Sequence, residues 1–125
     1  MRNIVTSESA PKAIGPYSVA IQTENIVFCS GQLGLDPVSG ELVSSEVEAQ
    51  TRQALTNLKN VLEAAGSNLD NVVKTTVFLK DMGDFPKMNA VYGEFFSAAP
   101  PARSTIAVAG LPKGGLVEIE AIALR

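Results

Sequence analysis

An α+β fold, one sheet with two helices packed on one of its faces, is the architecture this sequence predicts, and three observations predict it. Segments with strand and helix character follow one another in the order β, β, β, α, β, α, β, β, with no internal repeat and no low-complexity stretch. Only two segments carry helical periodicity, and two helices cover only one face of such a sheet. Strand segments such as VVKTTVFLK (72–80) and LVEIEAIAL (116–124) nevertheless offer apolar side chains to both faces. The uncovered face therefore predicts burial against copies of the same chain in a closed homo-oligomer. With 125 residues and 13.1 kDa, residues 1–125 form one domain.

In chain order, Arg2 to Thr6 is a short edge strand. The segment SAPKAIGPYS holds Pro11, Gly15 and Pro16, which rule out regular structure and place Tyr17 where the next strand starts. Tyr17 to Thr23 and Asn25 to Leu33 read as strands joined by a turn at Thr23, Glu24 and Asn25. Gly31, Gly34, Pro37 and Gly40 follow, so the backbone bends or bulges just beyond Cys29. Ser45 and Glu48 have the spacing of a capping box, and Val47, Thr51, Ala54, Leu55, Leu58, Val61, Leu62 and Ala65 then form one helical stripe that ends at Gly66. Glu48 and Arg52 are spaced for a surface ion pair. Val72 to Lys80 is rich in β-branched and aromatic residues and reads as a strand. Asp84 caps a second helix with Pro86 in its first turn; Phe85, Met88, Val91, Tyr92, Phe95 and Phe96 make its apolar face, with Asn89 beside it. AAPPA ends that helix. The remaining two apolar runs, Ala102 to Ala109 and Leu116 to Leu124, flank LPKGG and read as a β-hairpin.

Composition excludes several chemistries. The chain has no histidine, which removes Ser-His-Asp triads, histidine general bases and histidine-ligated zinc. Its single cysteine, Cys29, allows neither an internal disulfide nor a cysteine zinc cluster and reads as a small apolar strand residue. A net charge of -3 disfavours nucleic acid as a partner, because such binding depends on clustered Lys and Arg. No segment is long and apolar enough to cross a membrane and the N-terminus has no apolar signal core, so a cytoplasmic protein is expected.

Chemistry must then come from Arg, Glu, Asp, Tyr, Lys, Ser or the backbone. Pro100 to Leu124 stands out because Arg103, Glu118 and Glu120 lie inside otherwise buried strand. In a hairpin whose paired numbers sum to about 225, Arg103, Thr105 and Ala107 share a face with Glu118, Glu120 and Ile122. Arg103 offers a fork of donors that matches a carboxylate. A permanent pair with Glu118 or Glu120 that only holds the hairpin is the alternative. Two glutamates on one face also repel, which raises the pKa of one of them. Tyr17 offers a phenol, and Ser30 and Gly31 enter a glycine-rich bend whose N–H groups can face an oxyanion.

AIGPYS (13–18), SGQ (30–32), VVKTTVFLKDM (72–82) and above all PARSTIAVAGLPKGGLVEIEA (101–121) resemble the RidA (YjgF-type) reactive-intermediate deaminases over nearly the whole chain. The resemblance implies a chorismate-mutase-like α+β fold assembled as a homotrimer, with sites in clefts between subunits. It implies hydrolysis of enamines and imines such as 2-aminoacrylate to 2-keto acids and ammonia, without cofactor or metal. By the same resemblance Arg103 clamps the substrate carboxylate and Glu118 positions the water and relays protons. Tyr17, Ser30, Gly31 and Asn89 line the cleft. Thr105 stands where many members have cysteine, which leaves a backbone contact there and removes the thiol. Two rival functions remain: a sensor of small 2-keto acids that regulates a partner protein, and a translation-inhibiting endoribonuclease, which the acidic balance and missing histidines disfavour.

Overall fold

The computed structural model describes residues 1–125 and has the predicted order of elements. Strands β1 (Asn3–Val5), β2 (Ala20–Gln22) and β3 (Ile26–Leu33) precede helix α1 (Val47–Ala64). Strand β4 (Val72–Leu79), helix α2 (Phe85–Phe95) and strands β5 (Ala102–Ala107) and β6 (Val117–Leu124) follow. One six-stranded sheet has the order β1-β2-β3-β6-β4-β5. All neighbours are antiparallel except β4 and β5, which run parallel. Two start points differ from expectation: β2 starts at Ala20, which leaves Tyr17 in the loop before it, and β3 starts at Ile26 rather than Asn25. The predicted turn at Thr23 to Asn25 is formed, closed by the Thr23 hydroxyl and backbone bonding to Ile26.

The predicted hairpin does not exist. Strand β4 sits between β5 and β6 and pairs with both, so LPKGG belongs to a crossover containing a short 3₁₀ turn at Pro112–Gly114. A local pattern of two apolar runs and a glycine-rich link cannot reveal that an earlier strand has taken the slot between them. The consequence reaches the site. Thr75 pairs with Arg103 on one side and Ala121 on the other, whereas Phe78 pairs with Ile106 and Glu118. Residues 75 and 78 point to opposite faces, so Arg103 and Thr105 lie on the helix-covered face and Glu118 and Glu120 on the open one.

Helix α1 buries its whole predicted stripe. Each fully buried leucine there contributes about 1.5–3 kcal/mol of hydrophobic stabilisation. The helix ends in a Schellman motif: Ser67 N–H donates to Leu62 O, Gly66 N–H to Glu63 O, and Gly66 takes φ +80°, which glycine adopts without strain. Its start differs from expectation. Glu46 is the N-cap residue, no side chain caps it, and Ser44 Oγ accepts from Glu46 N–H instead, so the capping box is absent. The Glu48–Arg52 pair is absent too, because Arg52 reaches α2 and makes two bonds to Glu94 at 2.9 and 3.1 Å. Asp84 stands at the N-cap of α2 without a side-chain bond, while Asp81 accepts from Gly83 N–H one turn earlier.

Both helices pack on the face formed by Val27, Cys29, Val77, Ile119, Ala121 and their neighbours, which is the core. Gln50, buried inside the α1 stripe, ties the helix to the end of the sheet: its amide donates to Ser44 O and its carbonyl accepts from Leu116 N–H, both at 2.8 Å. The other face is uncovered and apolar, as expected. Ile21, Phe28 and Ile122 lie side by side across β2, β3 and β6, and Ile4 extends the row onto β1. Phe28 and Ile106 are each 45% exposed and Ile4 65%. No helix is long and apolar enough to cross a membrane.

Candidate active site

The candidate residues fall into two sets on opposite sides of the sheet. The first set begins at the bulge in β3. Its pairing with β6 runs from Cys29–Ala121 to Gln32–Ile119, so Ser30 and Gly31 are bulged out of the ladder where glycine-rich sequence predicted a bend. This brings Gly31 against Glu118. A Cβ added to Gly31 would lie 2.6 Å from Glu118 Oε2, so the carboxyl group is seated on bare backbone. Tyr17, Ser30, Gly31, Glu118 and Glu120 line one half-open cleft of about 350 Å³. Glu118 is half-buried in it, and its pKa is raised, first by loss of solvation and second by the charge of Glu120. That places the group nearer the range in which a carboxyl both takes up and releases a proton at working pH.

Ser30 does something other than expected. Its hydroxyl donates to Ser18 O at 2.6 Å and its N–H donates to Val19 O at 2.9 Å, so both donors fasten the loop that carries Tyr17. Tyr17 is 48% exposed, and its phenol oxygen accepts from Ile14 N–H at 3.3 Å, leaving its own O–H free to donate.

The second set is carried by β5 and α2. Arg103 lies on the helix side of edge strand β5, with its guanidinium carbon 4.6 Å from the centroid of Tyr92 and 5.4 Å from that of Phe85. The rings fix a planar cation in place without neutralising it. The two ion pairs of the chain, Arg52–Glu94 and Lys59–Glu63, involve neither Arg103 nor the cleft glutamates. The permanent Arg–Glu pair is therefore not formed. Tyr92 is itself anchored, its hydroxyl 2.7 Å from that of buried Thr75; burial raises its pKa, against the bond to Thr75 and the charge of Arg103. Asn89 is exposed on α2, one turn from both Phe85 and Tyr92 and so on the same flank. Thr105 follows Arg103 on the same face, and its hydroxyl oxygen is buried with no hydrogen-bond partner.

The structure thus gathers Tyr17, Ser30, Gly31 and Glu118 at one place and Asn89, Arg103 and Thr105 at another, and it does not bring the two sets together within one protomer. Cys29 stays outside both, its thiol pushed up to about 12 by burial. Sequence reasoning missed the role of Phe85 and Tyr92, because aromatic residues on a helical stripe read as core, and only the seat of Arg103 shows that they face the sheet edge.

An α+β chain that presents a half-buried carboxyl of raised pKa on one side of the sheet and an unpaired, ring-stacked guanidinium on the other fits a class: proteins that take a small molecule bearing a carboxylate. Comparisons with known proteins narrow it. A family model described as Endoribonuclease L-PSP matches residues 7–125, and the chain belongs to this YjgF/RidA family. The 2-iminobutanoate/2-iminopropanoate deaminase of Bos taurus is 50% identical over 125 residues, covering 100% of this chain and 91% of the relative. A RutC family protein of Pyrococcus horikoshii is 52% identical over 125 residues, covering 100% of this chain and 99% of the relative. Among solved structures, E. coli TdcF with bound serine superposes with a TM-score of 0.94 at 42% identity, over 98% of each chain.

Proposed function

We propose that the protein is an enamine/imine deaminase that hydrolyses 2-imino acids such as the imine form of 2-aminoacrylate to 2-keto acids and ammonia. The observation that carries the reading is Arg103, a half-buried guanidinium held on two aromatic rings with no carboxylate of its own chain to neutralise it. A substrate carboxylate is the planar, bidentate partner it lacks. The curated relatives named as deaminases support the same reading.

In this scheme Arg103 of one copy clamps the substrate carboxylate through two charge-assisted bonds and turns the adjacent imine carbon toward a water held by Glu118 of a neighbouring copy. Water adds to the carbon of the protonated imine as Glu118 takes its proton, giving a neutral carbinolamine. Glu118 returns that proton to nitrogen as the C–N bond breaks and ammonia leaves, and the hydroxyl proton passes back to Glu118 and from there to the ammonia or solvent as the carbonyl forms. No covalent intermediate and no cofactor are required. Tyr17, held by Ser30 through Ser18, closes one wall, and Asn89 and Thr105 border the arginine side. We place three such sites in a homotrimer, the assembly that buries the apolar face carrying Phe28 and Ile122. A cytoplasmic location belongs to the same reading. RNA cleavage is not favoured: Glu118 and Glu120 in the cleft repel phosphate and the net charge is -3.

The test is the rate of keto-acid release when a dehydratase generates 2-aminoacrylate in the cuvette. Wild type is expected to accelerate it, and Arg103→Ala to abolish the acceleration while the oligomer persists. Loss of assembly in Arg103→Ala would instead assign the arginine a structural role. No acceleration by assembled wild type would favour a keto-acid sensor.

A further inference from the structure

We infer that Thr75, a fully buried residue of β4, is a positioning residue for the reaction: its hydroxyl holds the Tyr92 ring at the angle on which Arg103 lies, and so aims the carboxylate clamp. The inference rests on the deaminase reading and adds to it a residue that acts through two others.

Three observations carry it. The first is place. Thr75 pairs with Arg103 across the parallel strands β4 and β5, so both side chains leave the sheet on the helix-covered face, one beside the other. The second is bonding. Thr75 is 0% exposed, and its hydroxyl lies 2.7 Å from that of Tyr92, itself only 5% exposed. A buried hydroxyl without a partner is costly, whereas replacing both members of such a pair by apolar groups of the same shape is nearly neutral. A valine and a phenylalanine would therefore pack here as well, and core packing alone does not account for the two hydroxyls. The third is what lies beyond the pair. The Tyr92 ring rests on Phe96, with centroids 4.7 Å apart and planes tilted by 41°. The guanidinium carbon of Arg103 stands 4.6 Å from the Tyr92 centroid, and the charge of Arg103 acts on the phenol, opposing the rise in pKa that burial causes. Arg103 has no ion pair in the chain to direct it, so the plane of its guanidinium follows the rings it lies on. The bond to Thr75 fixes the far end of the tyrosine, and without it the ring rocks and carries the guanidinium with it. The rival reading is that the pair only stitches α2 to the sheet.

The experiment uses the full-length protein and reads three quantities for each variant: the Kd of 2-ketobutyrate by NMR titration, kcat/KM for 2-aminoacrylate hydrolysis, and the urea midpoint. Thr75→Val combined with Tyr92→Phe leaves no hydroxyl unpaired and is expected to keep the midpoint. Its Kd is expected to rise roughly tenfold, the size of coupling that residues in contact show, and its kcat/KM to fall by at least that factor. Thr75→Ser, which keeps the hydroxyl, is expected to restore both, and Thr75→Val alone to show the same loss as the pair. In Arg103→Lys the ammonium is a point charge with no plane to orient, so adding Thr75→Val is expected to leave its weaker Kd within about twofold. A double variant with wild-type Kd and kcat/KM, or one that loses its midpoint and its oligomer, overturns the inference in favour of the stitch. Thr75→Ser as impaired as Thr75→Val overturns it by removing the hydroxyl from the argument. A Kd loss of equal size with Arg103 and with Arg103→Lys overturns it by showing that the effect bypasses the arginine. Wild type that binds 2-ketobutyrate without turning over the imine overturns the deaminase reading alone, and the Kd series then decides whether Thr75 aims Arg103. Wild type that does neither overturns both.

Discussion

At the scale of single residues, the proposed chemistry depends on a carboxyl group resting on a glycine. Because a Cβ at position 31 would fall 2.6 Å from Glu118 Oε2, Gly31→Ala is expected to displace the carboxyl by about its own width while leaving the strands paired. Misplacements of ~1 Å cost about 10²-fold in rate, so kcat/KM for 2-aminoacrylate hydrolysis should fall by about that factor with the circular-dichroism spectrum unchanged. A rate near wild type would show that Glu118 need not be seated there. The pH dependence follows from the causes of the Glu118 shift. Burial and the Glu120 charge both favour the protonated form, so the base form appears at higher pH than for an ordinary glutamate, and the acid limb of kcat/KM should be shifted upward accordingly. Glu120→Gln removes the repulsion, lowers the Glu118 pKa and moves that acid limb to lower pH; a limb that stays in place would mean Glu120 is screened from the site. Arg103, Glu118 and Glu120 were legible in the sequence as charges where strand should be buried. The Phe85 and Tyr92 platform was not, since ring orientation depends on which strand occupies the sheet edge.

At the scale of elements, most of the chain was legible because periodicity reports burial. The α1 stripe, the apolar face of α2 and the β-branched run of β4 each bury the residues their spacing selects. What failed were local polar pairings: Glu48 with Arg52, and Ser45 with Glu48. Each is worth about 2 kcal/mol at most and yields to whatever the packed neighbours offer, here Glu94 for Arg52. The approach of β3 to α1 is stricter. A Cβ at Gly34 would lie 2.6 Å from both Cα and O of Gln50, and helix backbone cannot step aside as a flexible side chain can. Gly34→Ala is therefore expected to destabilise by about 1–3 kcal/mol, the usual range for overpacking, measured as a lowered urea midpoint with an unchanged slope. A midpoint within error of wild type would show that the helix shifts freely.

At the scale of the whole molecule, the two sets of candidate residues lie on opposite faces of one sheet, and we propose that each is half of a site shared between copies. The register puts Arg103 across the sheet from Glu118, two strands away, so no side-chain rotation joins them. This makes a prediction specific to a shared site. Arg103→Ala and Glu118→Gln are each expected to be inactive, and subunits of the two, unfolded together and reassembled, should recover activity at interfaces where an intact Arg103 meets an intact Glu118. Mixtures as inactive as either parent, with mixed oligomers present by native mass spectrometry, would place the whole site within one chain. We propose that the uncovered row of Ile4, Ile21, Phe28 and Ile122 is the surface that such assembly would bury, since exposed apolar area of this kind drives association.

The sequence by itself determined the order of elements, the core stripes, the uncovered apolar face and the identity of the charged residues, because each is a local or periodic property written in side-chain character. Tertiary structure alone decided which residues meet. Strand β4 inserts between β5 and β6, a long-range choice with no local signature, and that single insertion carries Arg103 to the opposite face from Glu118. Side chains alternate with a period of two along every strand, so the pairing partner, and nothing in the strand's own composition, sets which face a charge shares with another.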